Sequence, residues 1–225
     1  MWDWLRKSAW PPHVVAYREQ TPRRVDPKRP WSELAFVSLD AETTGFDPEK
    51  DRLLSIGLVP VADGRIDVAG RRNWLVRQTD VPNNEAVKIH GIAPGESALG
   101  QPETEVLTEL LAALTGKIIV GHHIGFDAAM IGTATRRAFG SRLRNPLLDT
   151  AALTSRHVDA FHKTGYVNQK PPGLDEICSH AGLPIVGRHT ATGDAFTTAQ
   201  LFLWLCGRIR VRHGRELRAG DLFKA

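Results

Sequence analysis

The order of the strand-like runs constrains this chain more than any other feature. An apolar run at 34–41 is followed by the loop "TTGFDPEKD" and by a second run from Leu53 to Ala62. The sequence "ADGR" at 62–65 then predicts a hairpin into a third strand ending in "NWLVR" at 73–77, because Asp-Gly readily forms the tight turns that join paired strands. Beyond this point the periodicity changes. After a loop with Pro82 and a short helical piece near "NNEAVKIHGI", an amphipathic helix is predicted from Glu103 to Leu114. A buried strand at 117–123, a helix at 126–139 and a short strand at 146–150 entering another helix come next. A helix near 173–182, closed by Gly182 and Pro184, precedes a long one from about Thr192 to Ile209. Three antiparallel strands followed by alternating strand and helix predict an α/β domain, a mixed β-sheet flanked by α-helices.

A chain of 225 residues fits one such domain with extensions better than two domains. Residues 1–32 are rich in proline and basic side chains and hold Trp2, Trp4, Trp10 and Trp31. They read as an appended arm, residues 33–210 as the domain and residues 211–225 as a basic tail. The tryptophans predict that the arm packs on the domain or on a protein partner. Net charge is only +4, but Arg6, Lys7, Arg18, Arg23, Arg24, Lys28 and Arg29 crowd the start, and Arg208, Arg210, Arg212, Arg215 and Arg218 the end. Basic ends favour polyanions such as nucleic acid, although solvated tails have the same composition. No apolar run reaches the length of a membrane span and the N-terminus lacks a signal-peptide core, so a soluble cytoplasmic protein is expected. Cys178 and Cys206 fall in helical patterns without partners at metal-site spacing and read as reduced core residues.

The first strand carries an anomaly. In "FVSLDAETTGF", alternation puts Ala35, Val37, Leu39 and Ala41 on one face, and Phe36, Ser38, Asp40 and Glu42 on the other. Two carboxylates side by side repel and resist desolvation, so they need a cation or a proton unless the strand end emerges into solvent. Asp127 follows the fourth strand at a helix start, a position where Asp is also a good cap. "GRHTATGDAF" places His189 before the last helix and Asp194 just inside it. Singly, His189 reads as a surface residue and Asp194 as a helix-start acid. Together, four acids suit hard cations such as Mg²⁺, of which a pair can clamp both the attacking and the leaving oxygen of a phosphodiester. A neutral imidazole near such a site can act as general base toward water.

The segments "DAETTG" at 40–45, "GHHIGFD" at 121–127 and "HTATGD" at 189–194 resemble the three motifs of the DEDDh branch of the DnaQ-like 3′→5′ exonucleases, the family of the bacterial DNA polymerase III epsilon subunit. The resemblance spans roughly Ala35 to Leu205. It implies a ribonuclease-H-like fold and stepwise release of nucleoside 5′-monophosphates from a 3′ end with two Mg²⁺ or Mn²⁺ ions. It further implies that Asp40, Glu42, Asp127 and Asp194 hold the metals and that His189 is the base. Thr43, Thr44, Phe46, His90 and Phe126 match substrate-contacting positions; the alternatives are turn chemistry for the threonines, a polar helix end for His90 and core packing for Phe126. Two departures stand out: His123 occupies the place of a common Asn in the second motif, and Thr192 that of a larger apolar residue in the third. Single-stranded DNA is the favoured substrate. The alternatives are an exoribonuclease trimming RNA ends and a noncatalytic nucleic-acid or polymerase-binding module, and the latter predicts a missing carboxylate or base.

Overall fold

Apolar side chains alternate along the first strand and so give the sheet two buried faces. The computed structural model describes residues 10–79, 81–82, 85–162 and 170–223, and for residues 85–87 the backbone alone. Strands β1 (Phe36–Thr43) and β2 (Leu53–Ala62) pair antiparallel, and β5 (Ile118–Gly121) and β6 (Leu147–Asp149) add parallel to the other side of β1. The predicted third strand is split. Its parts β3 (Arg65–Ile66) and β4 (Arg72–Leu75) both pair with β2, separated by an excursion in which Gly70 N–H donates to Asp67 Oδ1 at 2.9 Å. Asp63 and Gly64 take φ values of 51° and 69°, the left-handed pair that a tight hairpin requires. Among the described residues the sheet order is β3-β2-β1-β5-β6, with β4 also on β2. The expected mixed α/β sheet is therefore present.

Helix α1 (Pro12–Gln20) lies within the segment read as an arm; α2 (Glu85–His90) and α3 (Pro94–Ser97) follow β4. The remaining helices are α4 (Glu103–Leu114), α5 (Gly125–Phe139), α6 (Thr150–His157), α7 (Leu174–Ala181), α8 (Ala191–His213) and α9 (Ala219–Phe223). On one face of the sheet Phe36, Val59, Val61 and Val120 pack with Leu153, Ile177, Phe202 and Leu205 of α6, α7 and α8. On the other, Val37, Leu39, Ile56 and Ile119 pack with Tyr17, Leu107, Leu111 and Ile131 of α1, α4 and α5. Full burial of each such side chain stabilises the fold by about 1.5–3 kcal/mol.

The described segments on either side of the central domain contribute to this core as well. Val14 and Tyr17 of α1 are buried, and the Tyr17 hydroxyl donates to Asn145 Oδ1 while accepting from the Arg144 N–H. Trp10 Nε1–H donates to the Gly140 carbonyl, and Trp31 stacks on Phe36 at 4.7 Å. Leu217, Ala219 and Leu222 are buried after α8, and the Trp31 N–H donates to the Leu217 carbonyl at 2.8 Å. Trp2 and Trp4 lie outside the described residues. Cys178 and Cys206 are both free and buried, as the sequence implied. No helix among the described residues is long and apolar enough to cross a membrane.

Candidate active site

The carboxyl ends of β1 and β5, which run parallel, open toward the first turns of α5 and α8. Asp40 and Glu42 share the face of β1 that meets α8, as alternation predicts. The approach of α8 depends on Gly57 of β2, the register partner of Asp40. A Cβ at Gly57 would lie 2.1 Å from the Ala191 carbonyl carbon, so only glycine lets the helix start sit this low on the sheet. Thr190 caps α8 by accepting from the Gly193 N–H at 3.2 Å, and Asp194 follows in the first turn. One carboxylate oxygen each from Asp40, Glu42 and Asp194 falls within 4.8 Å of the others.

Asp127 arrives from the opposite side of the sheet. It sits in the first turn of α5, where the helix dipole favours an acid, and its Oδ1 accepts from the Ala41 N–H at 2.9 Å. The backbone of β1 thus separates Asp127 from Asp40 and Glu42 by a single hydrogen-bonded residue. The turn before α5 needs a left-handed residue: His123 has φ 58°. Histidine, like asparagine, is among the side chains that tolerate this conformation, which gives a physical reason for the substitution in the second motif. Asp149 holds that turn by accepting from the His123 and Ala151 N–H groups.

These acids resist ionisation as a group. Burial, reinforced by Asp127, Glu42 and Asp194, holds the Asp40 carboxyl well above its usual range. Glu42 is pushed up to about 7, mainly by burial and then by Asp194. Asp127 rises to about 7 through burial, against the stabilising N–H donation from Ala41 and from its own amide. Burial raises Asp194 too, opposed by Arg188. The cluster is short of positive charge. Asp194 Oδ1 is buried and has no hydrogen-bond partner, an arrangement that is costly for a carboxylate oxygen unless a ligand completes it. A set of carboxylate oxygens is the donor type that Mg²⁺ and Mn²⁺ accept, so the residues fit such ions.

The other sequence candidates divide into two groups. Phe46 is exposed and its ring lies 6.0 Å from that of Phe126, beside Asp127. His189 is exposed on the loop before α8, with φ 62°, and its N–H donates to Asp194 Oδ2 at 3.2 Å. In contrast, the Thr43 hydroxyl donates to the Gly45 carbonyl and the Thr44 hydroxyl to Asp51 Oδ1, both inside the turn after β1. His90 has both ring nitrogens engaged: Nδ1 accepts from the Ile92 N–H, so Nε2–H donates to the Thr43 carbonyl. His122 is likewise tied, between Thr150 Oγ1 and the Pro172 carbonyl, and burial together with His123 lowers it to about 4.

Sequence reasoning missed Arg188. Its Nη1 donates to Asp194 Oδ2 at 2.5 Å and its Nε to Asp175 Oδ1 at 2.6 Å. The available signal was its place directly before His189. Asp149 was also passed over, although "LLDT" marks a strand entering a helix through a capping residue.

The profile of a family described as Exonuclease matches residues 37–202, which include all four acids and His189. The DNA polymerase III subunit epsilon of Aquifex aeolicus is 31% identical over 180 residues, covering 80% of this chain and 84% of that protein. The PolC-type DNA polymerase III of Thermotoga petrophila is 29% identical over 191 residues, and there the match spans 85% of this chain but 13% of the polymerase. Among solved structures, Escherichia coli exonuclease I in complex with a dT13 oligonucleotide aligns with a TM-score of 0.66 at 18% identity, covering 81% of this chain and 43% of that one. This last likeness supports the ribonuclease-H-like fold.

Proposed function

Because this chain belongs to the DnaQ-like 3′→5′ exonuclease family, whose profile covers its residues 37–202, we propose that it shortens single-stranded DNA from the 3′ end by the DEDDh chemistry, releasing nucleoside 5′-monophosphates. The observation that carries this reading is the convergence of carboxylate oxygens of Asp40, Glu42 and Asp194 within 4.8 Å of one another, in a group where Asp194 Oδ1 is buried and has no partner. Asp40, Glu42 and Asp194, with Asp127 directly or through water, would hold two Mg²⁺ or Mn²⁺ ions. When bound, such ions supply the positive charge that favours hydroxide and the developing charge of the phosphodiester.

The chain's own residues perform the remaining tasks. His189, exposed next to Asp194, takes the proton of the attacking water as general base. Phe46 and Phe126 offer an aromatic pair on which the terminal base stacks. Thr43 and Thr44 contribute through the backbone of the turn, since their hydroxyls already serve it. His90 braces the same turn from α2 by its hydrogen bond to Thr43. DNA is preferred over RNA because the epsilon relative is a DNA polymerase subunit by name and the exonuclease I neighbour holds a dT13 strand.

The test is a gel time course on 3′-labelled and 5′-labelled single-stranded DNA and RNA with Mg²⁺, Mn²⁺ or EDTA. We expect a metal-dependent ladder that shortens from the 3′ end, with DNA the faster polymer. His189→Ala should retain substrate binding and lose most of the rate. Faster RNA cleavage would select the exoribonuclease reading, and no cleavage of either would select the noncatalytic module.

A further inference from the structure

Arg188 belongs to none of the residues given a role above, yet it is the one cation paired with the acidic cluster among the described residues. Its guanidinium bridges two carboxylates of different kinds. Asp194 is 6% exposed, whereas Asp175 on α7 is 56% exposed. On Asp194 the arginine uses only Oδ2, which also accepts from the His189 N–H; Oδ1 stays buried and unpartnered. The arrangement partners one oxygen of an acid that belongs to the cluster and leaves that acid's other oxygen without a partner.

The loop that carries Arg188 is anchored independently of its side chain. Gly187 and His189 on either side have φ 59° and 62°. Gly193 packs so closely under the loop that a Cβ there would lie 2.1 Å from the Gly187 carbonyl oxygen. Thr190 Oγ1–H also donates to the Gly187 carbonyl at 2.6 Å. The backbone is therefore pinned to the start of α8, while the long guanidinium side chain can shift its weight between Asp194 and Asp175. A planar guanidinium cannot be encircled by several carboxylates as a compact divalent ion can, so it binds the cluster at its edge.

We propose that Arg188 is a resident counter-ion that competes with divalent metal for Asp194 and retreats onto Asp175 when metal binds, and that it thereby sets the metal affinity of the site. The inference rests on the metal-site reading above and adds to it a residue that tunes loading. Two variants should move affinity in opposite directions. Arg188→Gln removes the competitor. Asp175→Asn removes the place of retreat, leaving Asp194 as the only carboxylate among the described residues that the guanidinium meets.

The experiment is calorimetric titration of Mn²⁺ alone, without nucleic acid, into the full chain and into Arg188→Gln, Asp175→Asn and Asp40→Ala. We expect Arg188→Gln to bind Mn²⁺ roughly fivefold more tightly or better, the factor that one charge at contact distance is worth in near-aqueous surroundings. Asp175→Asn should bind more weakly than the unsubstituted chain. A thermal melt of each metal-free variant separates this from damage to the loop, because a disordered loop lowers the midpoint and weakens binding together. Unchanged or weaker binding by Arg188→Gln overturns the proposal, as does undiminished binding by Asp175→Asn. If the unsubstituted chain binds Mn²⁺ and Asp40→Ala does not, the metal site stands and only the role of Arg188 falls. If neither binds, the metal-site reading falls and the proposal with it.

Discussion

Phe36 and Glu42 lie on the same face of the same strand, and both look toward helix α8. At the Phe36 end, Trp31, Phe36 and Phe202 form a continuous aromatic contact with centroid separations of 4.7–5.6 Å. At the other end, Asp40 and Glu42 meet Asp194 across a gap set by the close approach of α8 to Gly57. Burial stabilises the first contact and opposes ionisation in the second. Between them Ser38 is fully buried with its hydroxyl unpartnered, the point at which the shared face turns from apolar to polar. The two ends are one mechanical unit: a rigid helix and strand clamped by aromatic packing at one end hold mutually repelling acids together at the other.

The strongest way to break this unit is at the apolar end. Phe202→Ala should lower stability by about 3–5 kcal/mol, measured by urea or thermal unfolding. Turnover by the fraction still folded should change far less. At the acidic end the order reverses: Asp40→Ala should reduce metal-dependent cleavage by at least about 100-fold, beyond what loss of an outer partner of a metal site costs. Its metal-free melting midpoint should stay level or rise, since a buried, repelled carboxyl is gone. A marked drop in that midpoint would mean that Asp40 supports the fold itself.

A third substitution acts on the link between the ends. Gly57→Ala puts a methyl group where the Ala191 carbonyl now lies. It should cost roughly 1–3 kcal/mol by overpacking, and cleavage should fall with it because Asp194 moves away from Asp40. Retained activity with full stability would show that α8 can ride up without opening the site.

The smallest effect is on pH dependence. Glu42 is raised to about 7 in the folded chain, so between the ordinary glutamate value and 7 the folded state binds more protons than the unfolded one. Its contribution to stability is complete below the ordinary value and is lost as pH rises through about 7. In EDTA the melting midpoint should therefore fall across this range, and Glu42→Gln should flatten part of the fall. Identical slopes for the two proteins would remove Glu42 from the strained group.

Much of this was legible along the chain because it follows from short-range rules. Alternation in "FVSLDAET" put Asp40 and Glu42 on one face, and Gly and Pro marked the end of α7. The third strand was legible only as one run, because its interruption at 67–71 depends on a side chain, Asp67, folding back onto the turn. Helix α1 was not legible at all. Only Val14 and Tyr17 of its nine residues are buried, too few to show as periodicity among prolines and basic residues. Its anchorage comes from Asn145, 128 residues away from Tyr17.

For the site, the residue types were in the sequence and their employment was not. Thr43, Thr44, Phe46, His90 and Phe126 look alike as motif neighbours, yet hydrogen bonds inside the turn take the threonine hydroxyls, Thr43 and Ile92 take the two nitrogens of His90, and the rings of Phe46 and Phe126 are left 6.0 Å apart. Charge composition could not pair Arg188 with Asp194 rather than with any other acid. By itself the sequence determined the succession of strands and helices along the chain, the shared face of the first two acids and the presence of a complete set of carboxylates, because these depend on local periodicity and on chemistry carried by each residue. Tertiary structure alone decided how close α8 comes to β1, which polar groups are already satisfied and which oxygen is left without a partner, because those depend on contacts between segments far apart in the chain.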